Sequence, residues 1–378
     1  FAAGDSVQTV TVDLNDDALT EGLEQFSLNL TGATGGAVIL DGRGVATIGA
    51  SDGVAISAPR ISVQNTIVSE HDGYVDVVLT LDAPGQNPVS VSYYTQNSTA
   101  AYGTTNDYVY ENSTVTFAPG QTTQVVRIEI REDGSTEGLQ SFVLNLYTPT
   151  GGAVVATPAA LISIVDNDNV VETPEIFVRD AVVDEKSGTA TFVVMLGGPA
   201  GQSSNNVVTV NYATGADGTA TAGTDFSAAS GTLVFGAGET VKTVVVNLND
   251  DALNESLERI NLVLSSPVNA VIRDGRGVAE IGANDAAGAA TPVLQVTPIQ
   301  VNEADGYADI VLTLSAPALG PASVSYQTSN SSATYGSDFV YDAGSVSFAA
   351  GETTKVIRIE LIDNPDVESF ESFFLNLY

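Results

Sequence analysis

Two acidic segments of the chain share nearly the same residues and spacing. They read VDLNDDALTEGLEQFSLNL at 12–30 and VNLNDDALNESLERINLVL at 246–264. In each, two adjacent aspartates and two glutamates precede an alternating apolar run that is typical of a strand. Clustered carboxylates attract cations. Asp and Asn also hydrogen-bond their own backbone in turns, so the segment is either a cation site or a solvated turn copied with a duplicated domain.

The whole chain is acidic. It has 378 residues, with 46 Asp and Glu against 12 Lys and Arg, and a formal net charge of −34. Because nucleic acids and anionic lipids bind basic surfaces, we expect no nucleic-acid partner. No run approaches 18 apolar residues, so we expect no direct insertion into a membrane. The chain contains no cysteine, which excludes disulfides and zinc–thiolate sites.

Catalytic groups are scarce. His71 is the only histidine, so nucleophilic catalysis of the Ser-His or Cys-His type would have to use it. The repeat described next places Ala304 at the equivalent position. The acids are distributed over all repeats, whereas a carboxylate-pair hydrolase needs two acids in one cleft. We therefore predict that the chain is not an enzyme.

Internal repeats define the organisation of the chain. SEHDGYVDVVLTLDAPGQNPVSVSYYT at 69–95 returns as NEADGYADIVLTLSAPALGPASVSYQT at 302–328, and a weaker relative occupies 184–214. Modules of about 115 residues thus alternate between two subtypes. We expect an excerpt of a longer polypeptide, in which short Pro-containing links join four units: the second half of a module at 1–54, complete modules at 59–169 and 175–286, and a module lacking its last strand at 292–378.

Each module has the pattern of a β protein. Runs such as VDVVLTL, VSVSYYT and SFVLNLY alternate in polarity and are rich in β-branched and aromatic residues. Clusters of Gly, Pro, Asn and Asp separate them. We predict an all-β fold of tandem immunoglobulin-like antiparallel β-sandwiches.

The segment from Asp217 to Thr240, DGTATAGTDFSAASGTLVFGAGET, resembles the Calx-β family, as does GVAEIGAND at 277–285. That family is known from sodium–calcium exchangers and large bacterial surface proteins. The resemblance extends over the whole chain at module length. It implies the same sandwich, and it implies calcium bound by some members through four loops at one end.

Carried over to this chain, the resemblance implies a set of acidic calcium ligands in each unit. Calcium takes six to eight oxygen ligands, and carboxylates supply them well. The second unit offers Glu70, Asp107, Glu132, Asp133, Glu137, Asp166 and Asp168. The third offers Glu185, Asp225, Asp250, Asp251, Glu255 and Asp285; the fourth Glu303, Asp338, Asp363 and Glu368; the first Asp16, Asp17, Glu21 and Asp52.

The units depart from the family pattern to different degrees. The second ends in VDNDN, with two aspartates, whereas the third ends in GAND with one. The fourth has Asn364 and Pro365 where its relatives place further acids. We expect the second module to hold calcium best and the third to hold it more weakly.

The sequence therefore predicts a non-catalytic structural and adhesive region of a large, secreted bacterial surface protein. Calcium would brace a rod of modules at the cell surface or in the extracellular matrix. The expected partners are calcium ions, neighbouring modules of the same chain, and like chains or cell-surface ligands. The alternative is a subunit of a self-assembling surface layer or extracellular filament.

Overall fold

The computed structural model describes residues 24–30, 32–35, 43–49, 53–103, 107–250, 257–282, 288–289, 291–364 and 370–378, with positions 8, 10, 12 and 14. The part of the first unit within these ranges contains one antiparallel hairpin, β1 (Glu24–Asn29) with β2 (Arg43–Ile48). Among the described residues, no helix is long and apolar enough to cross a membrane.

The second module is a two-sheet sandwich. One sheet has the strand order β10-β3-β5-β8 and the other β4-β11-β9-β6-β7. A short 3-10 helix, Glu70–Asp72, follows β4. The strands are β3 (Arg60–Val63), β4 (Thr66–Ser69), β5 (Tyr74–Leu81), β6 (Val89–Asn97), β7 (Asn112–Phe117), β8 (Thr123–Glu129), β9 (Gln140–Tyr147), β10 (Val154–Val155) and β11 (Ala159–Val165).

The third module repeats this topology, with sheets β17-β14-β12-β19 and β13-β20-β18-β15-β16. Its 3-10 helices are Glu185–Ser187 and Gly198–Ala200. The strands are β12 (Glu175–Val178), β13 (Ala181–Asp184), β14 (Thr189–Leu196), β15 (Val208–Thr214), β16 (Ser230–Phe235), β17 (Val241–Asn247), β18 (Glu258–Val268), β19 (Val271–Ile272) and β20 (Arg276–Gly282).

The fourth module shows two three-stranded sheets, β21-β22-β25 and β24-β23-β26, within its described residues. A 3-10 helix, Glu303–Asp305, precedes β22. The strands are β21 (Leu294–Val296), β22 (Tyr307–Leu314), β23 (Ala322–Asn330), β24 (Ala343–Phe348), β25 (Thr354–Glu360) and β26 (Phe373–Leu377).

Most strand pairs are antiparallel, as the all-β prediction expects. Parallel pairs occur where the first segment of a module divides between its two sheets: β3 pairs with β10, and β4 pairs with β11. The third module repeats both pairs, β12 with β19 and β13 with β20. Because β4 and β13 each run directly into a 3-10 helix, the acid that begins that helix is fixed at one end of the sandwich.

Each module has its own core, built by the period-two pattern. In β5 the residues Val75, Val77, Leu79 and Leu81 are buried, and they alternate with more exposed neighbours. Burying one such aliphatic side chain contributes about 1.5–3 kcal/mol. The second, third and fourth modules form separate apolar clusters around Phe142, Phe192 and Phe348, respectively.

The modules also contact one another, including a pair that is not adjacent in sequence. The side-chain hydroxyls of Ser98 and Thr99, in the second module, donate to the carboxylate of Glu360 in the fourth. The second, third and fourth modules together line a cavity of about 410 Å³. These three modules therefore do not follow one another in a straight line, and the expected rod is bent at the third module.

Candidate metal centre

Four loops at one end of the second module carry its predicted acids. Glu70 begins the 3-10 helix after β4, and Asp107 lies between β6 and β7. The connection from β8 to β9 supplies Glu132, Asp133 and Glu137, and Asp166 and Asp168 follow β11. These loops are distant in sequence, and the sandwich brings them to one end.

The loops place carboxylate oxygens close enough to share a cation. Glu70, Asp133 and Asp168 each offer an oxygen within 4.8 Å of the others, and so do Asp107, Asp133 and Glu137. Asp133 belongs to both groups. The geometry therefore describes two adjacent oxygen-lined positions bridged by one aspartate.

Several buried oxygens at this end accept no hydrogen bond from the protein. They are both carboxylate oxygens of Asp166, one oxygen of Asp168 and the side-chain oxygen of Asn167. Burial raises the pKa of Asp166, and nearby backbone amides offset this rise only in part. None of these amides lies in hydrogen-bond geometry with the Asp166 carboxylate. Since a buried polar atom without a partner costs free energy, these oxygens fit the ligand set of a hard cation.

The cluster is electrostatically strained without a cation. Burial, opposed in part by the Asp133 amide, raises the pKa of Glu70 to about 8. Burial first, and then neighbouring carboxylates, raise the pKa of Glu137 and Asp168. Burial also raises the pKa of Asp107 and Asp166. A divalent cation would offset this repulsion, because it favours the charged form of each carboxylate.

Hydrogen bonds orient the loops around the two positions. The Asp133 amide donates to Glu70 Oε1 at 3.0 Å, and the Ser135 amide donates to Asp133 Oδ1 at 2.6 Å. Gln140 Nε2 donates to Glu137 Oε2 at 2.8 Å. These bonds hold Asp133 between the two groups.

Glu132 and His71 lie beside the two groups and outside them. Asn167 Nδ2 donates to Glu132 Oε1 at 2.9 Å, and Glu132 Oε2 lies 4.0 Å from His71 Nδ1. The sequence prediction did not include Asn167, although its position in Asp166-Asn167-Asp168 is the signal that could have identified it. Its amide nitrogen orients Glu132, and its oxygen is one of the buried atoms without a donor.

The third module arranges its acids differently. Glu185 begins its 3-10 helix and is buried, and the buried Asp225 accepts from the Thr221 amide. Asp250 pairs with Lys186 Nζ at 3.3 Å, and Lys186 occupies the position equivalent to His71. An ammonium group therefore contacts a carboxylate predicted to bind calcium. The remaining predicted ligands, Asp251, Glu255 and Asp285, lie outside the described residues.

The fourth module shows no carboxylate group of this kind within the part of it that the structure describes. Asn364 Nδ2 donates to Glu303 Oε1 at 3.2 Å, and Asp338 accepts from the Thr334 amide. Asp363 is exposed. Glu368 lies outside the described residues, as do the predicted ligands of the first unit, Asp16, Asp17, Glu21 and Asp52.

Comparison with known protein families identifies the family to which the chain belongs. The Calx-beta domain family matches residues 1–53, 57–168, 166–287 and 285–378, which together tile the chain. The chain belongs to the Calx-beta domain family. The sandwich topology and the four-loop acidic end of the second module are thus features of a Calx-beta array.

Relatives of this array include extracellular and membrane proteins. It is 28% identical over 336 residues to human FRAS1-related extracellular matrix protein 2, covering 82% of this chain and 10% of that protein. It is 29% identical to rat sodium/calcium exchanger 2, covering 47% and 21%. Among solved structures it is similar to "calcium binding domain CBD12 of CALX1.1", at 27% identity and TM-score 0.29, covering 55% and 80%.

The array thus spans about a tenth of the length of its matrix relative. The bacterial origin expected from the resemblance stays a prediction.

Proposed function

We propose that this Calx-beta array is a non-catalytic structural region of a large extracellular protein. Its second module binds calcium at the end that faces the third module. The observation that carries the proposal is the pair of three-carboxylate groups sharing Asp133, beside buried oxygens of Asp166 and Asp168 that have no protein donor.

The position of this end explains how calcium would act mechanically. The Ser203 hydroxyl of the third module donates to the Asn167 carbonyl, and Asn169 Nδ2 donates to the Gly201 carbonyl at 3.4 Å. The segment that carries Asp166 and Asp168 therefore also forms the joint to the third module. A cation that fixes this segment would stiffen the joint and stabilise the module by linkage.

Isothermal titration calorimetry of the full chain tests the proposal. We expect Asp133→Asn to reduce calcium affinity at both groups, because Asp133 contributes to each. Glu137→Gln should reduce calcium affinity at only one group, so the titration should show either a lower stoichiometry or two separate binding steps. Glu129→Gln is the matched control, since Glu129 lies in the same module and its side chain, outside both carboxylate groups, forms an exposed pair with Arg131 at 3.5 Å.

The proposal fails if wild-type chain takes up no calcium, or if Asp133→Asn and Glu129→Gln bind it equally well. A melting temperature that chelator leaves unchanged would also count against bracing by calcium.

A further inference from the structure

At each joint, one residue at the end of a module, the exit residue, meets a pair of residues in the next module, the entry pair. The exit residue follows the isoleucine near the end of the last strand: Gly49, Val165 and Gly282. The entry pair of the next module consists of two residues directly opposite each other on neighbouring strands. These pairs are Thr80 with Thr123, Met195 with Val241, and Thr313 with Thr354.

The joint between the second and third modules is apolar. Val165, Met195 and Val241 form one buried cluster, with exposed fractions of 0%, 1% and 6%. Ile67 and Leu139 of the second module pack against it. A valine exit residue thus meets a Met–Val entry pair.

At the joint between the third and fourth modules, the backbone of Gly282 lies against the side chain of Thr354. A methyl group added at Gly282 would lie 1.9 Å from Thr354 Oγ1 and 2.7 Å from its Cβ. The joint between the first and second units repeats the contact, since a Cβ at Gly49 would lie 1.9 Å from Thr123 Oγ1. At both joints, only glycine permits this approach to the threonine of the entry pair.

A second pair of contacts distinguishes the joint between the third and fourth modules from the joint between the second and third. The buried carboxylate of Asp184 accepts from the Thr353 and Thr354 amides at 2.9 and 3.0 Å. At the equivalent position of the second module stands Ser69, whose hydroxyl lies 2.8 Å from Thr240 Oγ1. A carboxylate therefore accompanies the glycine exit residue, and a hydroxyl accompanies the valine exit residue.

We propose that these faces are matched in two kinds and thereby specify which module follows which. A glycine exit residue fits a Thr–Thr entry pair, and a valine exit residue fits a Met–Val entry pair. The mismatched combinations are unfavourable for different reasons. Valine against the threonines overlaps sterically and buries a hydroxyl among apolar groups, whereas glycine against Met195 and Val241 leaves an unfilled volume. The alternation of subtypes along the sequence is thus an alternation of complementary surfaces.

Spin-label distance measurements on the full chain in calcium test the matching. Because the chain has no native cysteine, labels at Ser230→Cys and Ala343→Cys report the third joint alone. Both positions are exposed, one on β16 and the other on β24. We expect Gly282→Ala to open this joint by ~2 Å, the displacement that restores ordinary atomic contact, and to broaden the distance distribution.

The compensating double variant Gly282→Ala/Thr354→Gly should return the distribution to that of the wild type, because it removes all three side-chain atoms near the added methyl. Gly320→Ala is the matched control, since a Cβ there meets nothing within 4 Å. A Gly282→Ala distribution superimposable on wild type overturns the proposal. So does a double variant that stays as broad as the single one.

A second variant at the apolar joint keeps the test decisive if Gly282→Ala does not fold. Val241→Thr keeps the shape of the side chain but places a hydroxyl in the apolar cluster against Val165, which is the polar part of the mismatch. With labels at Val125→Cys and Ser230→Cys, it should broaden the distribution across the second joint. The fully matched variant Val165→Gly/Met195→Thr/Val241→Thr should narrow it again, whereas equal distributions for the single and the triple variant would refute matching.

Discussion

Replacing Glu70 by glutamine should have opposite effects on stability with and without calcium. Glu70 is 4% exposed, and its pKa rises from an ordinary value of 4.5 to about 8. Glutamine keeps an oxygen that can accept the hydrogen bond from the Asp133 amide, and it removes the buried charge. In chelator the calcium-free variant should therefore be more stable than the wild type at pH 8.

The raised pKa sets the size of this effect. At pH 8 the folded state holds about half a proton at Glu70 and the unfolded state almost none, which corresponds to about 4 kcal/mol of lost stability. Burial is the main cause of the raised pKa, followed by repulsion from neighbouring carboxylates. Water beside the exposed Asp133 and Glu132 reduces both effects, so we expect a gain of ~2 kcal/mol. For a domain of this size, that is a rise of ~8 °C in the melting temperature.

In excess calcium the order should reverse. Calcium at a hundred times its dissociation constant stabilises the wild type by about 2.7 kcal/mol. Glu70→Gln lacks one carboxylate ligand, and we expect it to bind calcium about 100-fold more weakly. At the same calcium concentration it then gains only about 0.4 kcal/mol, and its advantage of ~2 kcal/mol no longer compensates. Differential scanning calorimetry of the full chain is the suitable assay, and the transition of the second module is identified as the one that Leu79→Ala lowers. Glu129→Gln serves as the control. If Glu70→Gln melts below wild type by the same amount in chelator and in calcium, Glu70 is only a structural residue and the reasoning is refuted.

The pH dependence of stability and the independence of the cores give two further predictions. The pKa of Glu70 is 4.5 in its ordinary state and about 8 in the folded protein. Between these two values the folded state binds more protons than the unfolded state, so the stability of the calcium-free protein should fall as the pH rises from 4.5 to about 8. Calorimetry in chelator should show the second module melting higher near pH 5 than at pH 8, and the reverse trend would contradict the cluster. Leu79→Ala should lower the transition of that module alone by about 2–5 kcal/mol, because Leu79 is fully buried in its separate core. Val125→Ala, at a side chain 51% exposed, is the control, and an equal shift of the third module's transition would show one cooperative unit.

The family and the sandwich could be predicted from sequence because both depend on local patterns. Alternation in segments such as 74–81 specifies which side chains face the core, and Gly-, Pro- and Asn-rich turns specify where strands end. The acids of the second module were predicted from the resemblance to Calx-β sequences, and their role as calcium ligands stays a prediction. Glu70, Asp107, Asp133, Glu137 and Asp168 all lie in the two carboxylate groups.

Which predicted acids act together depended on contacts between residues distant in sequence. Glu132 instead accepts from Asn167, Asp250 pairs with Lys186, and Asp133 is shared between groups from different loops. None of these pairings follows from spacing along the chain, because rotamers and loop paths decide them.

The sequence by itself determined the repeat, because similar segments recur along the chain. It also determined the strands, the family and the acidic composition of the loops, because short-range patterns within one module encode them. The tertiary structure decided how the modules meet. The approach of Gly282 to Thr354, the burial of Val165 against Val241 and the bend that brings Glu360 to Ser98 are surface complementarities. Such contacts depend on the relative placement of two folded units, which no local pattern specifies.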